Sequence, residues 1–245
     1  MERRNASHVA ARTAVVWEVL RREIDRAAAG RAPLTVVDVG GGTGGFAVPI
    51  ALAGHDVTVV DASPDALAAL TRRAAEAGVA TRIRGVQGDA DTLADLVPAG
   101  SADLVLCHSV LEVVDSPADV VAALAAGLRS GGAASVLVAN RAAAVLSRAT
   151  GGQLATATAL LTDPDGWAGE RDTLRRRFDV DGATSVLTKA GLTVEEIHGV
   201  RVVADLVPGS VQELDQEGLI AFELATAGRS PYRDIASQLH LLARR

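Results

Sequence analysis

Short runs of β-branched and apolar residues alternate along the first 150 residues with longer segments of helical spacing. Residues 34–39 and 55–61 are the first two runs, and the helical segments that follow them end at Gly54 and Gly78. Three further runs have the same character: residues 82–87, 103–107 and 135–139. Strands that alternate with helices predict a parallel sheet built from successive βα units.

Helical spacing predicts further elements on both sides of this repeat. Residues 6–29 predict an N-terminal helix with Gly30 as its C-cap, and residues 117–128 predict a helix before the fifth strand. Between residues 141 and 181 the periodicity weakens, which predicts an inserted lid rather than another sheet unit. After this segment we expect a helix at 182–190, a strand-like segment at 193–203, a helix near 211–226 and a strand-like segment at 238–243.

These elements predict one α/β domain over residues 1–245, with a doubly wound, Rossmann-like and mostly parallel sheet. An N-terminal helix within residues 1–30 and the inserted lid at 141–181 complete it. The 245 residues suit such a domain, and 49% hydrophobic with 22% charged residues is typical of a globular protein. Only 2% are aromatic, so alanine, valine and leucine must form most of the core.

Charge and cysteine content narrow the function classes. The net charge of −6 argues against a protein that coats nucleic acid, so any nucleic-acid contact must be local. The single Cys107 cannot form an internal disulfide, and no apolar leader opens the chain, so we expect a cytoplasmic protein. The apolar stretches fall well short of the roughly 20 residues that a membrane span needs, so we expect no membrane association.

The glycine-rich segment after the first predicted strand satisfies two patterns at once. Gly40, Gly42 and Gly45 have dinucleotide-binding spacing, whereas Gly40, Gly42 and Gly44 fit D-x-G-x-G-x-G. Asp61, about 20 residues further on, can accept hydrogen bonds from ribose hydroxyls. The alternative is a glycine-rich turn without a ligand, but an acidic residue at the correct strand end favours a nucleoside site.

Asp38 and the segment after the third strand favour S-adenosylmethionine (SAM) over a nicotinamide cofactor. Asp38 precedes the first glycine by two residues, where a carboxylate can face a cationic amino acid end but gains nothing from a pyrophosphate. Gly88-Asp89-Ala90-Asp91 stands at a place suited to adenine. An NAD-dependent oxidoreductase is a weaker alternative because no Tyr-x-x-x-Lys pair follows the loop.

Five successive segments resemble the motifs of class I SAM-dependent methyltransferases: VVDVGGGTG, VVDASPDAL, GDAD, ADLVLCHSVLEVV and LRSGG. The resemblance covers residues 34–140 and implies SAM as cofactor and no metal. It assigns the following roles: the methionine end to Gly40, Gly41 and Gly42, the ribose to Asp61, adenine to Ala90 with Asp89 or Asp91, and a place under the cofactor to His108. Asp89 and Asp91 could instead be solvated helix caps, and His108 a polar residue satisfied by the backbone.

Four flanking segments are similar to one family within this class: ARTAVVWEVL, HSVLEVVDSP, GVRVV and SPYRDIASQLHLLAR. This is the family of bacterial enzymes that methylate the carboxylate of 5-carboxymethoxyuridine at the tRNA wobble position. The resemblance implies that Arg12 pairs with the carboxylate of SAM, where an isolated arginine would otherwise be a surface residue. The family has a lysine cluster after the fifth strand, where this chain has ATATALLTDPDGWAGERD. The later run Arg175, Arg176 and Arg177 is expected to be a solvated helix face rather than an RNA contact.

Two residues near the C-terminus are candidates for positioning the methyl acceptor. Arg201 could bind a carboxylate acceptor through two nitrogens, or form an ion pair at a strand edge. Tyr232 could line the pocket, or fill a gap in an aromatic-poor core. The residues leave two other functions open: a small-molecule O- or N-methyltransferase of the same fold, and a SAM-binding module without catalysis.

Overall fold

The structure is a computed structural model that describes residues 11–170, 172–208 and 214–245, without the side chain of Asp91. One sheet of seven strands has the order β3-β2-β1-β4-β5-β7-β6. The strands are β1 Thr35–Val39, β2 Asp56–Asp61, β3 Ile83–Gln87, β4 Ala102–His108, β5 Leu128–Ala139, β6 Thr193–Val200 and β7 Gln238–Arg244. Strands β1 to β5 are parallel, and β7 runs antiparallel between β5 and β6. The predicted mostly parallel, doubly wound sheet is confirmed.

The α-helices of the described ranges are α1 Ala14–Ala28, α2 Ala47–Leu52, α3 Pro64–Glu76, α4 Leu93–Leu96, α5 Pro117–Gly127, α6 Arg141–Thr150, α7 Leu154–Thr162, α8 Val180–Lys189 and α9 Gln216–Thr226. The predicted start of the N-terminal helix, at residue 6, lies outside the described residues. Within them no helix has the length and apolar character needed to cross a bilayer.

Serine and proline start two of these helices, α3 directly after β2 and α5 after the loop that follows β4. The Ser63 hydroxyl accepts a hydrogen bond from the Ala66 N–H at 3.2 Å, and Pro64 is the first residue of α3. Ser116 does the same for Asp119 at 3.3 Å at the start of α5. A side-chain cap with proline behind it satisfies a free N–H and presets the helical φ, so the helices turn back sharply from the strands.

The core has two layers, one on each face of the sheet. Helices α1, α2 and α3 cover one face, and α4, α5 and α8 cover the other. Both layers consist mainly of valine, leucine and alanine, as the composition predicts. The chain crosses from one side of β1 to the other between β3 and β4, so a crevice opens beyond the carboxyl ends of β1 and β4, where ligands bind in open α/β sheets.

The segment 141–181 begins with α6 and α7, which pack against each other, and adds no strand to the sheet in the part that the structure describes. The predicted solvated helix face at the three arginines is wrong. They lie in an irregular stretch, where Arg176 donates to the carbonyl oxygens of Val114 at 2.5 Å and Asp115 at 3.2 Å. Arg177 is buried and donates to both oxygens of Asp172, at 2.5 and 2.9 Å. The role of this segment as a lid stays a prediction.

Two other predicted boundaries differ from the structure. The strand predicted to reach residue 203 ends at Val200, because Arg201 adopts a left-handed backbone conformation with φ of +61° that ends the pleat. The helix predicted near 211–226 is α9 within the described residues, and its cap is the Asp215 carboxylate, which accepts from the Gly218 N–H at 2.9 Å.

Candidate active site

Two adjoining cavities open at the crevice between β1 and β4, and Gly40 and Ser109 line both. The β2-side cavity, of about 400 Å³, is also lined by Asp61, Asp89 and Ala90. The β5-side cavity, of about 390 Å³, is lined by Arg12, Asp38, Gly41, His108 and Arg201 among others. The structure therefore brings most of the predicted site residues to these two adjoining cavities, although Gly42 lines neither.

The glycine loop is tied to the end of β2 by Asp61. One carboxylate oxygen of Asp61 accepts from the Gly42 N–H at 2.8 Å, and the other accepts from Ser63 N–H at 2.9 Å. Gly40 has a φ of +68°, and a Cβ there would lie 2.4 Å from a methyl of Val110. Only glycine fits at this point, and Asp61 holds the loop as well as lining the β2-side cavity.

Asp38 is the buried acid of the β5-side cavity. Its Oδ2 has no hydrogen-bond partner among the described residues, and a Cβ on Gly41 would lie 2.5 Å from that oxygen. Burial, reinforced by the negative charge of Asp61, raises the pKa of Asp38 to about 7. A carboxyl group buried without a partner is suited to pairing with a cationic group of a ligand.

Arg12 and Arg201 meet at Asp205. The carboxylate of Asp205 lies 3.1 Å from a terminal nitrogen of Arg12 and 3.3 Å from one of Arg201. The Nε of Arg201 is buried and lacks a hydrogen-bond partner within the described ranges. Both guanidinium groups therefore lie on the cavity that contains Asp38.

Glu223, which the sequence analysis missed, holds the loop that carries Arg201. It is fully buried in α9 and its carboxylate accepts three backbone N–H groups, those of Val202, Val203 and Ala204, at 2.8 to 2.9 Å. The only sequence signal is a charged residue in an otherwise apolar stretch of α9. Three charge-assisted hydrogen bonds stabilise the left-handed backbone at Arg201.

His108 lies at the end of β4, between the cavity and the sheet. Its Nε2 is 2.9 Å from the Ser135 hydroxyl, and its ring packs edge-on against Phe46 with centroids 4.7 Å apart. Burial lowers the pKa of His108 to about 4, so the imidazole is neutral at pH 7. Its Nδ1 is buried and has no partner in the described part of the chain.

The remaining predicted residues separate into two groups. Asp89 and Ala90 line the β2-side cavity, whereas the side chain of Asp91 lies outside what the structure describes. Tyr232 is 47% exposed and lines neither cavity, so it does not fill a gap in the core. Asp115 and Arg175, which form an ion pair at the edge of the β2-side cavity, were not expected.

The two cavities fit the two ends of SAM. The β2-side cavity offers the Asp61 carboxylate and the Asp89–Ala90 backbone to a nucleoside. The β5-side cavity combines the buried acid Asp38, one oxygen of which has no partner among the described residues, with the guanidinium of Arg12, the chemistry that the ammonium and the carboxylate of one amino acid require. This donor set is suited to the methionine end of SAM.

Comparison with known proteins agrees with this fit. Residues 37–136 match the sequence family described as "Methyltransferase domain". The chain is 28% identical over 237 residues to the tRNA 5-carboxymethoxyuridine methyltransferase of Escherichia coli K12, covering 96% of this chain and 88% of that protein. It is 31% identical over 165 residues to the ubiquinone biosynthesis O-methyltransferase of Xanthomonas axonopodis pv. citri, covering 67% and 65%.

Solved structures share the fold. A SAM-dependent methyltransferase from Mesorhizobium loti superposes with a TM-score of 0.64 at 21% identity, covering 94% of this chain and 98% of that one.

Proposed function

The chain is a SAM-dependent methyltransferase, and from this premise we propose that its acceptor is a carboxylate, that of 5-carboxymethoxyuridine at the tRNA wobble position. The observation that carries the proposal is Arg201, whose guanidinium lines the same cavity as Asp38 and retains a buried N–H without a partner in the described residues. A carboxylate bound there satisfies that N–H. The similarity to the Escherichia coli tRNA enzyme, which extends over 96% of this chain, supports the same acceptor.

The residues of the chain act mainly by positioning. SAM, when bound, supplies a methyl group that is already activated for transfer, so the protein must align the acceptor and exclude water. Arg201 holds the acceptor carboxylate, and Asp205, 3.3 Å from one of its terminal nitrogens, orients the guanidinium. Asp38 and Arg12 bind the amino acid end of the cofactor. A carboxylate needs no general base at neutral pH, because it is already ionised.

The experiment uses the purified protein, SAM with a labelled methyl group, and two preparations of one tRNA, with and without the carboxymethoxy group. We expect label only in the first preparation, and nucleoside mass spectrometry should find it as the methyl ester of the wobble uridine. A panel of small carboxylic acids and phenols is assayed in parallel. If a small molecule reacts and neither tRNA does, the tRNA proposal is wrong.

A second candidate is an O-methyltransferase of small hydroxyl compounds. It is favoured by the neutral His108 in the wall of the β5-side cavity, because an imidazole can accept the proton of a hydroxyl group. The similarity to ubiquinone biosynthesis O-methyltransferases supports it over a shorter part of the chain. The phenols in the panel distinguish this candidate from the carboxylate acceptor.

A further inference from the structure

A row of polar side chains, buried at its centre, leads from the β5-side cavity across the sheet. His108 Nε2 lies 2.9 Å from the Ser135 hydroxyl, which lies 2.8 Å from His240 Nε2. His240 Nδ1 lies 3.5 Å from His198 Nδ1, and His198 Nε2 lies 3.2 Å from the carboxylate of Glu196. We call these five residues the histidine row. It connects four neighbouring strands, β4, β5, β7 and β6.

The middle of the row is buried in the layer beneath α1, whereas the Glu196 side chain at its far end is 34% exposed. Ser135 and His240 have no exposed surface, and His198 stands directly opposite His240 in the β6–β7 pairing. At the far end, Arg22 of α1 donates to the same Glu196 oxygen at 2.7 Å. Glu196 is thus paired with a guanidinium, and a carboxylate can only accept hydrogen bonds.

Burial lowers the pKa of His108, His198 and His240, so the three imidazoles are neutral at pH 7. A neutral imidazole has one nitrogen that donates and one that accepts. Each ring in the row must therefore take one of two tautomers, and every choice constrains the next ring.

Glu196 decides the direction of all the hydrogen bonds. Because its carboxylate only accepts, His198 must donate from Nε2 and accept at Nδ1. His240 then donates from Nδ1 and accepts at Nε2 from the Ser135 hydroxyl. Ser135 in turn accepts from His108 Nε2. The reverse direction would place the lone pair of His198 Nε2 against a carboxylate, which is repulsive.

We propose that Glu196, through His198, His240 and Ser135, fixes the tautomer of His108 so that its Nδ1 is a hydrogen-bond acceptor. Nδ1 is the atom that has no partner among the described residues, and the ring that carries it lines the β5-side cavity. The row makes Glu196 a positioning residue: it selects, at a distance, a ligand group that donates a hydrogen bond to His108. The catalytic consequence rests on the second candidate under the proposed function, a hydroxyl acceptor, because an ionised carboxylate has no hydrogen to donate to Nδ1, whereas the tautomer itself does not depend on either acceptor.

The tautomers are measured by nitrogen-15 NMR on the protein without SAM or tRNA. We expect His108 and His198 to carry the proton on Nε2, and His240 on Nδ1. In Glu196→Leu this preference should be lost in all three rings, whereas Glu196→Gln should retain it because the amide oxygen can still accept. The matched control is Glu195→Leu, which removes a neighbouring carboxylate whose partner, Arg244, lies outside the row.

A second variant, Ser135→Ala, allows the proposal to be tested even if Glu196→Leu does not fold. Ser135→Ala interrupts the row, so His240 and His198 should keep their tautomers while the preference at His108 is lost. Glu196→Leu and Ser135→Ala should also slow methyl transfer to a hydroxyl acceptor by about tenfold, as expected for loss of one positioned hydrogen bond. The proposal is wrong if wild-type His108 carries its proton on Nδ1, or if Glu196→Leu leaves the His108 tautomer unchanged. Failure of tRNA methylation with the tautomers as expected would overturn only the proposed acceptor.

Discussion

The two cavities of the site are built in different ways from the same chain. The β2-side cavity is lined almost wholly by residues 40–115, which come from consecutive βα units. The β5-side cavity draws its lining from residues as distant as Arg12, His108, Arg201 and Gln238. The lining of the β2-side cavity is thus encoded by local motifs, whereas the lining of the β5-side cavity depends on how α1, β6 and β7 are brought together with the ends of β1 and β4.

Asp61 of the β2-side cavity and Asp38 of the β5-side cavity also differ, in the number of hydrogen bonds that their carboxyl groups accept from the protein. Asp61 already accepts two backbone N–H groups, so its charge is compensated by its own loop. Asp38 has an oxygen without a partner in the described part of the chain, and its pKa is raised to about 7. The Asp61 carboxylate therefore stabilises the glycine loop, whereas the Asp38 carboxyl has an oxygen that a ligand could pair with.

The largest expected effect is on the rate of methyl transfer in variants of Arg201, and it distinguishes acceptor positioning from cofactor binding. Arg201→Ala should slow methyl transfer by on the order of 100-fold, while affinity for S-adenosylhomocysteine, measured by calorimetry, changes little. Arg201→Lys should recover only part of the rate, because an ammonium cannot bind a carboxylate through two nitrogens. Arg82→Ala is the control, since Arg82 pairs with Asp56 at the opposite ends of the strands. Wild-type rates in both Arg201 variants would make Arg201 structural.

Asp61→Ala should weaken SAM binding by on the order of 1–3 kcal/mol, because the ribose loses an acceptor and the Gly42 N–H loses its partner. Asp61→Asn keeps one accepting oxygen and should lose less. Calorimetry with SAM measures both, and Asp65→Ala in the exposed first turn of α3 is the matched control. Unchanged affinity in Asp61→Ala would exclude the ribose role.

Asp38 predicts a pH dependence of cofactor binding. Below pH 7 the folded protein holds a proton on Asp38, and an ammonium can pair with this carboxyl only after the proton leaves. Affinity for SAM should therefore rise roughly tenfold per pH unit up to about pH 7 and then level off. Asp38→Asn should abolish this dependence and bind more weakly above pH 7. A pH-independent wild-type affinity would contradict the prediction.

The same raised pKa affects stability with the opposite sign. The ordinary pKa of the carboxyl is 3.8, so between there and about 7 the folded protein binds a proton that the unfolded chain has lost. The contribution of Asp38 to the free energy of unfolding therefore decreases as pH rises through this range. Urea unfolding of wild type and Asp38→Asn at several pH values measures it.

The smallest expected effect concerns the support of Arg201. Glu223→Gln replaces one accepting oxygen with an amide that faces backbone N–H groups, so the free energy of unfolding should fall by about 2 kcal/mol. Methyl transfer should fall several-fold as the loop at 201–204 loosens. Glu217→Gln, on the exposed first turn of the same helix, should change neither quantity. If Glu223→Gln and Glu217→Gln have the same free energy of unfolding and the same rate of methyl transfer, Glu223 is not a positioning residue.

What the sequence could predict follows the same division. The five parallel strands, the glycine loop and Asp61 were predicted because each depends on residues close together in the chain. Glu223 and the histidine row were missed because their partners lie on elements far apart in sequence. Arg176 was expected in solvent, yet it meets carbonyl groups of a loop some 60 residues earlier, which no local pattern encodes.

The position of β7 determines the order in which parts of this enzyme can fold during synthesis. β7 is the last strand in chain order, but it lies between β5 and β6, and β6 pairs with no other strand in the part of the chain that the structure describes. While the ribosome is still producing residues before 238, β5 has an unpaired edge and β6 has nowhere to pair. The β2-side cavity can assemble during synthesis, but His240, and with it the path from Glu196 to His108, is added only with the final strand. A nascent chain can thus form the β2-side cavity before the β5-side cavity and the histidine row are complete.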